Sequence, residues 1–181
     1  MTCRGSRFNP TLTTPGQNSP EWEAQNLRST RNFIRKWGHF VKHDEYMKPI
    51  IPPKYNIGII VHDCALDTIH ALEPWCNNLY IDKYEYLYNI YQQQEGPNTK
   101  FNLNERIRPI SDKKSNDIII ELTNTPGLLQ RIMPHIQEMA SIIQQTNDIG
   151  QFGLGEMTIN IFQLNTYEHT LVNISPAQPS R

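Results

Sequence analysis

From residue 26 to 47 the large apolar side chains Leu27, Phe33, Ile34, Trp37, Phe40 and Val41 recur at helical spacing, with Arg28, Arg31, Arg35, Lys36 and Lys42 between them. That rhythm predicts an amphipathic helix with Gly38 as its weak point. Pro49, Pro52 and Pro53 then end regular structure and predict a stiff, extended link. Beyond the link the rhythm changes. A β-branched apolar run predicts a strand over 55–61, a helical segment follows over 66–75, and a second strand over 78–82, together the size of one βαβ unit. A Tyr-rich helix over 84–94, a loop at 95–98 and a short strand over 106–110 come next. The unbroken run Asp117-Ile118-Ile119-Ile120-Glu121-Leu122 predicts a centre strand with helices above and below. Thr125-Pro126-Gly127 opens a helix to about 145 with a kink at Pro134; 150–155 reads as a flexible loop and 156–164 as a last strand. The fold class is therefore α/β, a small three-layer domain with a mostly parallel sheet of four or five strands.

The flanks are of another character. Residues 1–25 hold Phe8, Leu12 and Trp22 as their sizeable apolar groups among Thr, Pro, Asn and Ser, and predict an extended or disordered lead-in. The organisation that results is a lead-in over 1–25, the helix and Pro-rich link over 26–53, the α/β domain over 54–172 and a disordered tail over 173–181. With 17 Lys+Arg against 18 Asp+Glu the formal net charge is -1, so no basic field points to nucleic acid. No apolar run approaches the roughly 20 residues that span a bilayer. Cys3, Cys64 and Cys76 form no Cys-x-x-Cys and leave one unpaired in any disulfide scheme, which suits a reducing, cytoplasmic setting.

Ligands of an open parallel sheet sit beyond the carboxyl ends of its strands. The chemistry-bearing residues there are His62, Asp63 and Cys64 after the first strand, Asp82 after the second and Glu121 in the centre strand. Asp82 stands where a nucleotide-binding domain places the acid that bonds a ribose hydroxyl. The loop 62–67 contains no glycine to admit a pyrophosphate, so Asp82 is read as the N-cap of the Tyr84 helix, with ribose binding as the alternative. His39 and His43 share a helical face at a spacing that can hold zinc, but the pattern is not His-Glu-x-x-His and a solvated face is the simpler reading. Cys64 reads as a small buried hydrophobe, the Tyr84, Tyr86, Tyr88 and Tyr91 set as core and rim packing, and Arg28, Arg31, Arg35 and Lys36 as a solvated basic face.

The segment Arg28-Ser-Thr-Arg-Asn-Phe-Ile-Arg-Lys-Trp-Gly38 resembles the end of the catalytic domain of family-2-type glycosyltransferases, where a helix closes in Phe-x-x-Lys-Trp-Gly; here these are Phe33, Lys36, Trp37 and Gly38. Cys3-Arg4-Gly5-Ser6 resembles the family's His-x-Gly-Ser stretch, with Cys3 at the His position, and 39–58 resembles the join to a trailing Rossmann-like domain in large-virus and phage members. The resemblance implies a C-terminal part of a nucleotide-sugar-dependent transferase, an N-terminal half lost by truncation or a split gene, and cytoplasm of an infected cell as its setting. It also implies a divalent metal for the full-length enzyme, held by an upstream Asp-x-Asp; no Asp-x-Asp occurs here and no cofactor is expected in this chain. Such a chain is inactive alone and docks, through Phe33, Lys36, Trp37 and Phe40, to a catalytic half or to itself. The rival reading is a non-enzymatic α/β binding or assembly module using the same helix. A degenerate methyltransferase-like domain with Asp82 on a ribose is a third.

Overall fold

The structure is a computed structural model, and it describes residues 19–167. The first helix, α1 (Pro20–Trp37), starts six residues before the predicted helix, inside the predicted lead-in. The reason is local: the Ser19 side chain accepts the Trp22 N–H at 3.2 Å, Pro20 occupies the first helical position, and Glu21 and Glu23 meet the positive end of the helix dipole. At the other end Gly38 adopts φ +80° and donates its N–H to the Ile34 carbonyl, so the helix stops ten residues short of the predicted end. In place of more helix, β1 (Lys42–His43) and β2 (Pro49–Ile50) form a small antiparallel ribbon. Its turn is held by Asp44, whose Oδ1 accepts the N–H groups of Tyr46 and Lys48 at 2.9 and 2.8 Å. Pro49 thus belongs to a strand, where only a link was expected.

The α/β part follows as β3 (Ile57–His62), α2 (Leu66–Leu72), a 3-10 turn (Glu73–Trp75), β4 (Asn78–Ile81), α3 (Tyr84–Glu95), a second 3-10 turn (Gly96–Asn98), α4 (Leu103–Arg106), β5 (Ile107–Pro109) and β6 (Ile118–Thr123). Then come α5 (Leu128–Gln137), α6 (Met139–Thr146), β7 (Gly150–Leu154) and β8 (Met157–Ile161). The six-stranded sheet has the order β5-β4-β3-β6-β8-β7. Its first four strands are parallel and β8 and β7 are antiparallel additions, so the α/β, mostly parallel, Rossmann-like architecture stands.

Two local expectations change. Residues 150–155 form strand β7 and its turn, with Gly155 at φ +60°; the backbone ladder to β8 overrides the glycines. The predicted single helix after Gly127 is two, parted at Glu138 four residues beyond Pro134.

Strand alternation decides where the core lies. Ile57, Ile59 and Val61 of β3, with Ile118, Ile120 and Leu122 of β6, join one cluster that contains the buried apolar residues of α1, α2, α3, α5 and α6. Ile60, Tyr80 and Ile119 point the other way and meet Ile110. On that side the layer over the sheet is therefore the 110–117 connection, where a helix had been expected. Asn116 anchors it, accepting the Tyr80 hydroxyl at 2.9 Å and donating to the Asn56 and Asn78 side-chain oxygens at 2.7 and 2.8 Å. Gly58 leaves room for it: a Cβ there would lie 2.5 Å from Asn116 Oδ1.

Candidate functional site

Of the residues predicted at the carboxyl edge, His62, Asp63, Asp82 and Glu121 lie there as two separate pairs. Glu121 is in register with Ile60, so it and His62 share the face away from the helices. His62 Nε2 and Glu121 Oε1 are 2.7 Å apart and both side chains are nearly half exposed. The second pair is bonded through the backbone. Asp82 Oδ2 accepts the Asp63 N–H at 2.6 Å, and Oδ1 accepts the N–H groups of Cys64 and Lys83, each at 3.0 Å. Partial burial pushes the Asp82 carboxyl up, but these backbone donors outweigh it and hold the carboxyl below its ordinary value. They also hold Asp63 at φ +52°, while Asn124 Nδ2 donates to the Asp63 carbonyl at 3.2 Å. Asp82 is thus a clamp on the β3–α2 loop. The residue at the α3 N-cap position is Lys83, and it makes no side-chain capping bond.

The helix α1 departs furthest from expectation. Arg31 and Arg35, expected on a solvated face, turn inward to Glu73 and Glu95. Arg35 donates from Nε and Nη2 to Glu73 at 2.7–3.2 Å, from Nη1 to Asn32 Oδ1 at 2.9 Å, and from Nη2 to Glu95. Arg31 reaches Glu95 at 3.0 Å, the Tyr91 hydroxyl at 2.8 Å and the His70 carbonyl at 2.6 Å. Arg106 closes the group on Glu73 and on the Cys76 carbonyl, and the Tyr91 hydroxyl donates to Glu73 at 2.8 Å. Three guanidinium groups thus enclose two carboxylates. Burial pushes the Glu73 carboxyl up, yet the charge of Arg106 and the bonds from Arg35 prevail and lower it to about 2. Among the described residues no buried side-chain nitrogen or oxygen lacks a partner.

Further bonds fix the helix end. Lys54 Nζ donates to the Arg35 and Lys36 carbonyls at 2.9 and 2.7 Å, capping the negative end of α1. Burial first, and then the charge of Arg106, lowers its ammonium to about 8. Asn32 ties α1 to the loop after α3, donating to the Asn98 carbonyl at 2.8 Å and accepting the Thr99 hydroxyl at 2.7 Å.

The outer side of α1 holds the residues predicted to dock. Phe33, Lys36 and Trp37 line a groove of about 650 Å³ whose far wall includes Asn98, Lys100 and Phe101. Its lining carries the three cations Arg28, Lys36 and Lys100 and no carboxylate. Trp37 is 42% exposed with Lys36 Nζ 4.8 Å from its ring centre, and Phe101 lies beneath Arg106. Phe40 is separate: it packs edge-on against Trp75 at 4.9 Å and borders a second depression with Ser29, Thr30, Phe33 and Val41.

The His39/His43 pair is not helical. His39 is buried with Nδ1 at 2.6 Å from the Phe40 carbonyl, and His43 lies in β1. Among the described residues no three His, Cys, Asp or Glu side chains form a metal-holding group, so the metal that the resemblance implies finds no fitting donor set there. Cys64 and Cys76 are buried free thiols, each pushed up to about 12, mainly by burial; Cys3 lies outside the described residues, as does the predicted tail. Tyr91 is fully buried and Tyr84 stacks on Tyr88 at 5.1 Å, while Tyr86 is exposed.

The inward Arg–Glu group is what sequence reasoning missed. A signal existed: Arg31 and Arg35 lie four apart, opposite the Phe33/Trp37 side of the helix, and Glu73 sits within the apolar Leu72-Glu73-Pro74-Trp75. Comparisons with protein-family models, curated proteins and solved structures find no match.

Proposed function

We propose that the chain corresponds to the C-terminal, accessory portion of a nucleotide-sugar-dependent glycosyltransferase of the large-virus or phage type. It works in the cytoplasm by presenting a docking face, and does no chemistry alone. The observation that carries this reading is the attachment of α1. The helix that ends in Phe33-x-x-Lys36-Trp37-Gly38 is bonded on its inner side to Glu73 and Glu95, while Lys36 and Trp37 remain outside. The segment resembling the end of a catalytic domain and the Rossmann-like part are thereby one folded piece, with an open side where a catalytic half would sit. The carboxyl edge agrees with a non-catalytic role: Asp82 already serves three backbone N–H groups and so has a structural task that needs no ligand. Purified chain assayed with sugar nucleotides and divalent metal should show neither transfer nor hydrolysis. Metal-dependent turnover abolished by a substitution within this chain overturns the reading. The DNA upstream should encode an Asp-x-Asp catalytic half; unrelated sequence there favours the second reading.

That second reading is a non-enzymatic assembly module. It is favoured by the groove beside α1, where three cations and three aromatic rings line one concave surface with no acid among them.

A further inference from the structure

We propose that α1 is a self-complementary interface through which two copies of this chain pair antiparallel. The inference rests on the second reading, that the outer side of α1 docks a partner, and it names the partner as another copy.

Three observations carry it. Trp22, Asn26, Ser29, Phe33 and Trp37 follow one another at intervals of four, three, four and four, which at about 100° per residue makes a single stripe along the helix. Arg31 and Arg35 lie on the opposite side and are bound inward, so the stripe faces away from them, exposed at Trp22, Asn26, Ser29 and Trp37 and partly covered at Phe33. Second, every residue of 20–30 is exposed, including Trp22 at 42% and Leu27 at 62%. The first three turns project beyond the α/β part with their tryptophan uncovered. Third, charge is divided along the helix. Glu21 lies in the first turn on the groove side, whereas Lys36 and the neighbouring Lys100 line the groove at the other end, with Arg28 mid-helix.

An antiparallel crossing centred near Ser29 satisfies all three. It brings Trp22 of each copy to the groove of the other, between Phe33, Trp37 and Phe101, and brings Glu21, on the groove side of the stripe, to Lys36 and Lys100. The small Ser29 lets the axes approach at the crossing. A parallel pair would instead set acid against acid and base against base. One face of an 18-residue helix is about 27 Å long. With the adjoining loop this is a small contact beside the roughly 800 Å² per partner of a standard interface, which suits a reversible pairing.

Sedimentation equilibrium of the full chain across micromolar to millimolar concentrations should show a monomer–dimer equilibrium. Trp22→Ala and Trp37→Ala should each weaken it. The reversed variants E21K and K36E/K100E should each dimerise roughly tenfold more weakly or worse, because like charges then face one another. Mixing the two reversed variants should restore a heterodimer, since every contact in the mixed pair is again between opposite charges. All substituted groups are exposed, and thermal melts of each variant check that the fold persists. A wild-type chain monomeric throughout, or reversed variants that dimerise like wild type, overturns the proposal. A monomer that binds a catalytic polypeptide, an acidic peptide or a nucleotide through Trp37 also overturns self-pairing while leaving the docking reading intact.

Discussion

Glu73 is fully buried and accepts from Arg35, Arg106 and Tyr91 at once. A buried ion group adds little net stability over an apolar core of the same shape, but removing one member strands the others. Glu73→Ala should therefore cost about 3–5 kcal/mol in urea unfolding at neutral pH. The pH dependence has a definite sign. The folded carboxyl lies at about 2, below its ordinary value of 4.5, so its contribution is complete above that value and is lost as pH falls toward 2. Wild type should lose more stability than Glu73→Gln between pH 5 and pH 2. Equal losses would mean that the guanidinium groups do not hold Glu73 ionised. The buried thiols work in the opposite sense. Cys64 and Cys76 are raised to about 12 from 9, so the folded state favours the protonated form and stability falls as pH rises from 9 toward 12. At pH 8 both should react with a thiol reagent at the rate of opening of the fold, and immediate modification of either would contradict their burial.

At the scale of elements, Asp82 belongs to the β3–α2 loop as much as to its own strand. Asp82→Ala should cost about 1–2 kcal/mol, a figure kept low by the exposure of the carboxylate, and should raise the mobility of 63–65 seen by NMR relaxation without altering nucleotide binding. Gly58 matters for the opposite face: Gly58→Ala pushes a methyl group onto Asn116 and should cost about 1–3 kcal/mol, read as a lower melting temperature. A variant as stable as wild type would show that Asn116 can give way. The sheet was legible because β-branched runs such as 117–122 have few alternatives, and the Tyr84 helix because its period is clear. The extent of α1 was less so. Ser19-Pro20 with acids behind it is a strong start, but it lies in a Pro- and Ser-rich setting that argued for extended chain. Strand β7 was hidden because Gly150, Gly153 and Gly155 carry no pattern, and its existence depends on pairing with β8. Of the site, the carboxyl-edge residues could be found from strand ends, whereas the partners of the Asp82 carboxylate and of the Arg35 guanidinium depend on which elements meet.

The molecule as a whole is a Rossmann-like sheet with its helices gathered on one face and α1 fastened to them through buried charge. Arg35, Glu73 and Glu95 come from three elements, and Asn32 and Lys54 add ties to two loops. The second half of α1 is therefore part of the folded core, while its first half is exposed. If that division is right, opening of residues 31–37 should require opening of the core, whereas 21–28 should open on their own. Amide hydrogen exchange at a concentration low enough to keep the chain monomeric measures this directly. The account predicts protection of 31–37 close to that of β3 and β6, fast exchange over 21–28, and a fall in protection of 31–37 in Glu73→Gln beyond any change in β6. Uniformly fast exchange across 21–37 in the wild type would contradict it, because α1 would then be an appendage resting on the sheet and not a layer of the fold.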